Sequence, residues 1–158
     1  MEFFLSPSKG EINLKDLVLD ILDYVSEDTA YSYKLIVGSD SHPCPDGTCF
    51  VSAIIIHRQG KGARYYYKKQ IANRIDSMSQ RIFLETSLSL ELADRLSIGL
   101  REHGREDMKV EIHLDVGIHG ATRDLVKDVI GMVVGSGLDA RIKPDASGAS
   151  KVADRYTR

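Results

Sequence analysis

The sequence predicts an α/β fold in which a mixed five-stranded sheet carries helices on both of its faces. Three β-rich segments, at residues 34–39, 50–56 and 64–68, follow one another through short turns, which predicts an antiparallel meander. Two later strands, at residues 109–116 and 140–143, alternate with helical segments, and this alternation is typical of parallel strands. The predicted order of elements is therefore α-βββ-α-β-α-β-α.

The N-terminal elements are predicted from local signals. Asn13 can cap a helix that runs to Tyr24, because apolar residues recur after it at helical spacing. The strand at residues 34–39 lacks alternation, so we expect both of its faces to be buried. Turn residues then connect the three strands of the meander: Pro43, Pro45, Asp46, Gly47, Gly60 and Gly62.

The long helix is predicted from Ser79 to about His103, with Gly104 as its C-cap. One face of this helix carries residues separated by three or four positions: Ile82, Glu85, Ser89, Ala93, Leu96 and Leu100. A further helix begins at Thr122 and a closing helix at Ser150. No linker divides the chain, so residues 1–158 are predicted to form a single domain with residues 1–30 as an N-terminal helical extension.

Composition sets broad limits on function. A hydrophobic content of 42% and a charged content of 28% are ordinary for a globular protein. The net charge of -2 gives no overall attraction to nucleic acid, so such binding would depend on local basic patches. No signal peptide or membrane span is evident, and we expect a cytoplasmic protein. Cys44 and Cys49 are expected to be reduced thiols, although a disulfide across the hairpin remains possible.

Four acidic residues stand out, and three of their positions fit poorly with simple packing. Asp40 and Asp115 each end an apolar strand, Glu85 lies on the buried face of the long helix, and Asp154 falls in the closing helix. A carboxylate in an apolar setting loses several kcal/mol of hydration unless a partner charge or a metal compensates. Right-handed crossovers would place the strands of Asp40 and Asp115 side by side and parallel, so their carboxyl ends meet.

Each of these residues also has a purely structural interpretation. Asp40 could form a turn with the residues before Pro43. Glu85 could pair with Arg81 one helical turn away. Asp115 shares its strand face with two other polar residues, and this face could be solvated. Asp154 could pair with a nearby arginine or remain in solvent.

The chain resembles the ribonuclease H-like superfamily and, in detail, the YkuK family of predicted nucleases. The matching segments are residues 6–10, residues 37–41, the helix bearing Glu85, residues 113–117 and residues 143–154. The resemblance implies a site of two Mg²⁺ or Mn²⁺ ions held by four acids: Asp40, Glu85, Asp115 and Asp154. Asp145 is the alternative to Asp154 as the fourth acid. It implies hydrolysis of phosphodiester bonds in RNA, DNA or a hybrid by an activated water.

Substrate contacts are expected from polar residues beside these acids: Ser41, His42, Lys143 and Lys151. The basic and aromatic run at residues 64–69 could follow a phosphate backbone, but it also fits an ordinary sheet face. Two other functions remain open. One is a non-catalytic nucleic-acid- or protein-binding module with the same fold, and the other is a metal-dependent phosphatase acting on a small substrate.

Overall fold

The computed structural model describes residues 2–143, and within them all strands belong to one mixed sheet in the order β2-β1-β5-β4-β3-β6-β7. The strands are β1 (Phe4–Ser6), β2 (Gly10–Ile12), β3 (Tyr33–Cys44), β4 (Gly47–Arg58), β5 (Gly62–Ala72), β6 (Val110–Gly117) and β7 (Asp139–Lys143). The helices are α1 (Leu14–Glu27), α2 (Met78–Glu102) and α3 (Val126–Gly135), with a 3₁₀ turn at Arg123–Leu125 before α3.

The pairing of the five predicted strands is confirmed. Strands β3, β4 and β5 form an antiparallel meander, and β6 then pairs in parallel with β3 and with β7. The predicted number of strands was wrong, because β1 and β2 add two strands beside β5. Each has only three residues, which is too short to produce a recognisable alternation of polar and apolar residues.

The β3–β4 hairpin is longer than its apolar segments suggested. Its register is unbroken from the Tyr33–Arg58 pair to the Cys44–Gly47 pair, so β3 continues past Asp40. Gly47 follows the turn with a φ of 141°, and a Cβ there would lie 2.1 Å from the carbonyl oxygen of Ala72. Only glycine therefore fits this position. Cys44 and Cys49 are free thiols.

One face of the sheet carries α1, α2 and α3. Apolar side chains from β3, β4, β5 and β6 join those of the three helices in a single core, which includes Leu17, Ile21, Val37, Ile54, Tyr66, Leu96, Ile112, Val116, Val129 and Val133. The opposite face contains two smaller apolar groups, around Ile36 and Ile55 and around Cys49 and Val51. The predicted closing helix, on which the expectation of helices on both faces depends, lies outside the described residues.

Helix α2 packs across the sheet with the face that its periodicity predicted. Glu85, Ser89, Leu96 and the other buried residues of α2 follow one stripe. The first half of α2 also makes a polar contact with the sheet, because Ser39 Oγ lies 2.8 Å from both Ser52 Oγ and Ser89 Oγ. Each buried hydroxyl therefore has a partner, as burial of polar groups requires. No helix within residues 2–143 is long and apolar enough to cross a membrane.

Helices α1 and α2 approach each other closely at Gly99. A Cβ placed on Gly99 would lie 2.9 Å from Cγ2 of Val18, a buried side chain with a restricted χ1 angle. We expect Gly99→Ala to lower the free energy of unfolding by about 1–3 kcal/mol, because the helices must move apart. Urea denaturation followed by circular dichroism measures this change.

Gly131→Ala is the matched control, since Gly131 also lies in a helix but nothing would contact its Cβ within 4 Å. This substitution should raise the free energy of unfolding by about 0.5–1 kcal/mol through helix propensity. Equal effects of the two substitutions would contradict the close approach of α1 and α2.

Candidate metal centre

Three of the four predicted acids interact electrostatically in one region of the fold, toward the carboxyl ends of β3 and β6. These strands are parallel neighbours with Gly38 paired to His113, so Asp40 and Asp115 follow two residues later on adjacent strands. Glu85 lies in the first half of α2, which packs against β3. The adjacent, parallel arrangement predicted for the two acid-bearing strands is therefore confirmed.

The acids approach this end of the sheet from two sides. Ser39 and Ser41 point toward α2, so Asp40 between them points to the opposite face. Leu114 and Val116 lie in the helical core, so Asp115 also points to the opposite face. Glu85 comes from the helix side.

Glu85 is a buried acid with a strongly altered proton affinity. Glu85 is only 8% exposed, and Ser41 Oγ donates a hydrogen bond of 2.5 Å to Glu85 Oε2. Burial raises the pKa of Glu85 to about 8. The negative charges of Asp40 and Asp115 act in the same direction. The Ser41 hydrogen bond and the positive charge of Arg81 oppose the rise in pKa without cancelling it.

The other two acids also have partners within the protein. His42 Nε2 lies 3.2 Å from Asp40 Oδ2, and Lys143 Nζ lies 2.6 Å from Asp115 Oδ1. The hydrogen bond to Asp115 raises the pKa of Lys143, and the charges of Asp40 and Glu85 contribute to this rise. One ammonium group thus interacts electrostatically with all three carboxyl groups.

The donor chemistry of the three acids fits Mg²⁺ or Mn²⁺, which bind carboxylate oxygens. A raised pKa of Glu85 caused in part by two other acids indicates local excess negative charge, which a divalent cation would relieve. Within residues 2–143, however, no three acidic, histidine or cysteine side chains lie close enough together to form a metal site. Asp145, Lys151 and Asp154 lie outside the described residues.

Two features of the site were missed from the sequence. His113 is only 7% exposed, so the face that it shares with Asp115 is not simply solvated. Its Nε2 lies 3.2 Å from Glu111 Oε1, and burial lowers its pKa. Its Nδ1 makes no hydrogen bond within the described chain. The second feature is the Lys143–Asp115 pair, because contacts between separate strands leave no local sequence signal.

Two cations of the basic run on β5 form ion pairs with acids of the same protein. Arg64 Nη1 lies 3.1 Å from Asp20 Oδ1, and Lys68 pairs with Glu2. These two cations are therefore engaged on the helical side of the sheet. The structure favours the interpretation of this run as an ordinary sheet face over that of a continuous phosphate-binding stripe.

Sequence comparisons identify the family. A family model described as "Ribonuclease H-like" matches residues 16–158. The chain belongs to the ribonuclease H-like family. Within it, this ribonuclease H-like chain is 34% identical to "Uncharacterized protein YkuK" of Bacillus subtilis (strain 168), over 98% of this chain and 96% of that protein. The resemblance to the YkuK family is thereby confirmed.

Two solved structures show distant similarity to this ribonuclease H-like chain. LC11-RNase H1, isolated from compost, has 14% sequence identity and a TM-score of 0.36, with 77% of this chain and 89% of that chain covered. The NurA nuclease from Sulfolobus solfataricus has 16% identity and a TM-score of 0.29, with 78% and 46% covered. The family assignment therefore depends on the sequence matches.

The raised pKa of Glu85 predicts a specific pH dependence of stability in metal-free protein. The folded state retains a proton up to about pH 8, whereas a glutamate in the unfolded chain loses it near the ordinary pKa of 4.5. The protonated carboxyl group therefore contributes stability that is complete below this lower value and is lost as pH rises toward 8. We expect the free energy of unfolding to fall by a few kcal/mol over this interval, on the order of the pKa difference.

Glu85→Gln should remove most of this slope, because glutamine resembles the protonated acid. Urea denaturation between pH 5 and pH 9 in EDTA measures the slope. Glu102→Gln, at an exposed position near the end of the same helix, is the matched control and should retain the wild-type slope. An unchanged slope in Glu85→Gln would contradict the raised pKa.

Proposed function

We propose that this protein is a metal-dependent nuclease that hydrolyses phosphodiester bonds in RNA, DNA or an RNA–DNA hybrid. The observation that carries the proposal is the position of Asp40 and Asp115 near the carboxyl ends of two adjacent parallel strands, close enough to the buried Glu85 of α2 to help raise its pKa. Perturbed carboxyl groups of this kind cluster at functional sites. Membership of the ribonuclease H-like family supports the same reaction class.

In this proposal Asp40, Glu85, Asp115 and Asp154 hold two Mg²⁺ or Mn²⁺ ions. When bound, such ions lower the pKa of water and neutralise charge on the phosphodiester. Asp40 and Asp115 would hold the metal from two adjacent parallel strands, β3 and β6. Glu85 must lose its proton to serve as a ligand, and Arg81 favours that ionised form.

Neighbouring residues hold the proposed ligands in place. The Ser41 hydroxyl donates to Glu85, so its role is to orient this carboxyl group rather than to contact substrate. His42 lies beside Asp40, and its side chain is 35% exposed. It can therefore orient Asp40 and still reach a phosphate oxygen from the solvent side. Lys143 and Lys151 remain proposed phosphate contacts.

A second candidate is a binding module without catalytic activity. It is favoured by the absence of a three-ligand group within residues 2–143 and by the internal partners of the acids. Such a module would bind nucleic acid equally well in EDTA, with an affinity that decreases as salt rises.

The decisive experiment measures cleavage of labelled single-stranded RNA, duplex DNA and RNA–DNA hybrid in the presence of Mn²⁺. Asp40→Asn removes one proposed ligand charge and should lower the rate by about 100-fold or more, because metal binding would lose a carboxylate. Asp128→Asn, at an exposed position on α3, is the control and should cleave like the wild type. Circular dichroism verifies that both variants are folded.

Each alternative gives a different result in this assay. Binding of oligonucleotides without cleavage, unaffected by EDTA and by Asp40→Asn, would favour the binding module. Hydrolysis of a nitrophenyl phosphate ester without cleavage of any oligonucleotide would favour a phosphatase. Cleavage that persists in Asp40→Asn would contradict the proposed role of this residue.

A further inference from the structure

Lys143 reaches the acids because β6 and β7 come close together at their ends. Gly117 is paired with Lys143, after an irregularity in the register that begins at His113. A Cβ on Gly117 would lie 3.4 Å from the Lys143 Cβ, which is van der Waals contact. Gly117 thus lies directly beside the stem of Lys143, and the ammonium group of Lys143 extends to Asp115.

The position of Lys143 differs from that of a surface lysine that meets one carboxylate. Its Nζ lies 2.6 Å from Asp115 Oδ1, and the charges of Asp40 and Glu85 also act on it. Asp40 and Glu85 are both buried, so the charges on these acids are poorly screened by water. A single positive charge therefore offsets part of the negative charge of Asp40 and Asp115, and also that of Glu85 once it is ionised.

We propose that Lys143 is a built-in counter-cation, which occupies Asp115 in the metal-free protein and competes with divalent metal for this carboxylate. The inference rests on the proposed function, because it assigns a regulatory role at the same acids. On metal binding, the Asp115 carboxylate would lose its contact with the Lys143 ammonium group and would hold the ion instead. The Lys143 side chain is 55% exposed and flexible, so it can turn to solvent or to a substrate phosphate without disturbing the core.

This exchange has a definite thermodynamic sign. A cation that must leave a ligand before the metal binds weakens the apparent metal affinity, because the lost ion pair and the remaining positive charge both oppose binding. Removing Lys143 should therefore tighten metal binding. A lysine that only supports the fold or only contacts substrate would leave the affinity for metal in the absence of substrate unchanged.

The test compares Lys143→Met with Arg141→Met in protein stripped of metal. Arg141 lies on the same strand, and its Nε is 3.6 Å from Glu111 Oε1, so it offers an ion pair of similar exposure away from the three acids. Free Mn²⁺ is measured by electron paramagnetic resonance during titration at fixed pH and ionic strength. We expect Lys143→Met to bind Mn²⁺ about tenfold more tightly than the wild type, and Arg141→Met to match the wild type.

Two further variants identify the cause. Lys143→Arg keeps the positive charge and should remain within about threefold of the wild-type affinity. Combining Lys143→Met with Asp40→Asn should abolish the gain in affinity, because the added binding depends on the acids. A melting temperature in EDTA that is lower for Lys143→Met, and that reaches the wild-type value at saturating Mn²⁺, would independently support the exchange.

The outcomes separate this inference from the proposed function. Tighter binding in Lys143→Met supports it, as does binding that is detectable only in this variant. Equal or weaker Mn²⁺ binding in Lys143→Met, with clear binding by the wild type, overturns the inference and leaves the metal-dependent function standing. Absence of Mn²⁺ binding in the wild type and in every variant overturns both.

Discussion

The packing of α2 across the sheet determines where Glu85 lies relative to Asp40 and Asp115. Leu96, Leu100 and other apolar residues attach the second half of the helix to the core. The first half adds hydrogen bonds to β3, with Ser89 bonded to Ser39 and Glu85 bonded to Ser41. Apolar packing thus supplies the stability, whereas short, directional hydrogen bonds fix the position of Glu85.

The acids of the site have partners within the protein, but these partners do not fully offset the burial of Glu85 and the negative charge around it. Each of the three acids has a polar or cationic neighbour of its own, and yet the pKa of Glu85 is still raised to about 8. Ser41 and Arg81 only partly offset the effect of burial and of two nearby carboxylates. Folding therefore tolerates a destabilising group, and this pattern is typical of positions kept for chemistry rather than for stability.

Much of this arrangement could be predicted from the sequence because it depends on periodicity. The helical spacing of Glu85 placed it on a buried face, and the handedness rule for crossovers placed the strands of Asp40 and Asp115 side by side. The strands β1 and β2 escaped prediction since three residues give no period. The continuation of β3 beyond Asp40 was also missed, because its polar residues and Pro43 resemble a turn.

The remaining differences concern contacts between distant parts of the chain. No local pattern indicates that Lys143 pairs with Asp115, or that His113 is buried, since both depend on neighbouring strands. The side of the sheet to which each acid points follows from strand alternation only after the position of α2 is known. The roles of Lys151 and Asp154 stay predictions, because these residues lie outside the described part of the chain.

The parallel pairing of β3 with β6 also has a kinetic consequence. The β3–β4–β5 meander is built from hairpins whose partners are close in sequence, so little chain entropy is lost when they form. Strand β6 is separated from β3 in sequence by β4, β5 and the long helix α2, so their parallel pairing closes a long stretch of chain. We therefore expect the meander to form early in folding and Asp115 to reach Asp40 late. A partly folded molecule would then hold the β3–β4–β5 meander before Asp40 and Asp115 lie side by side.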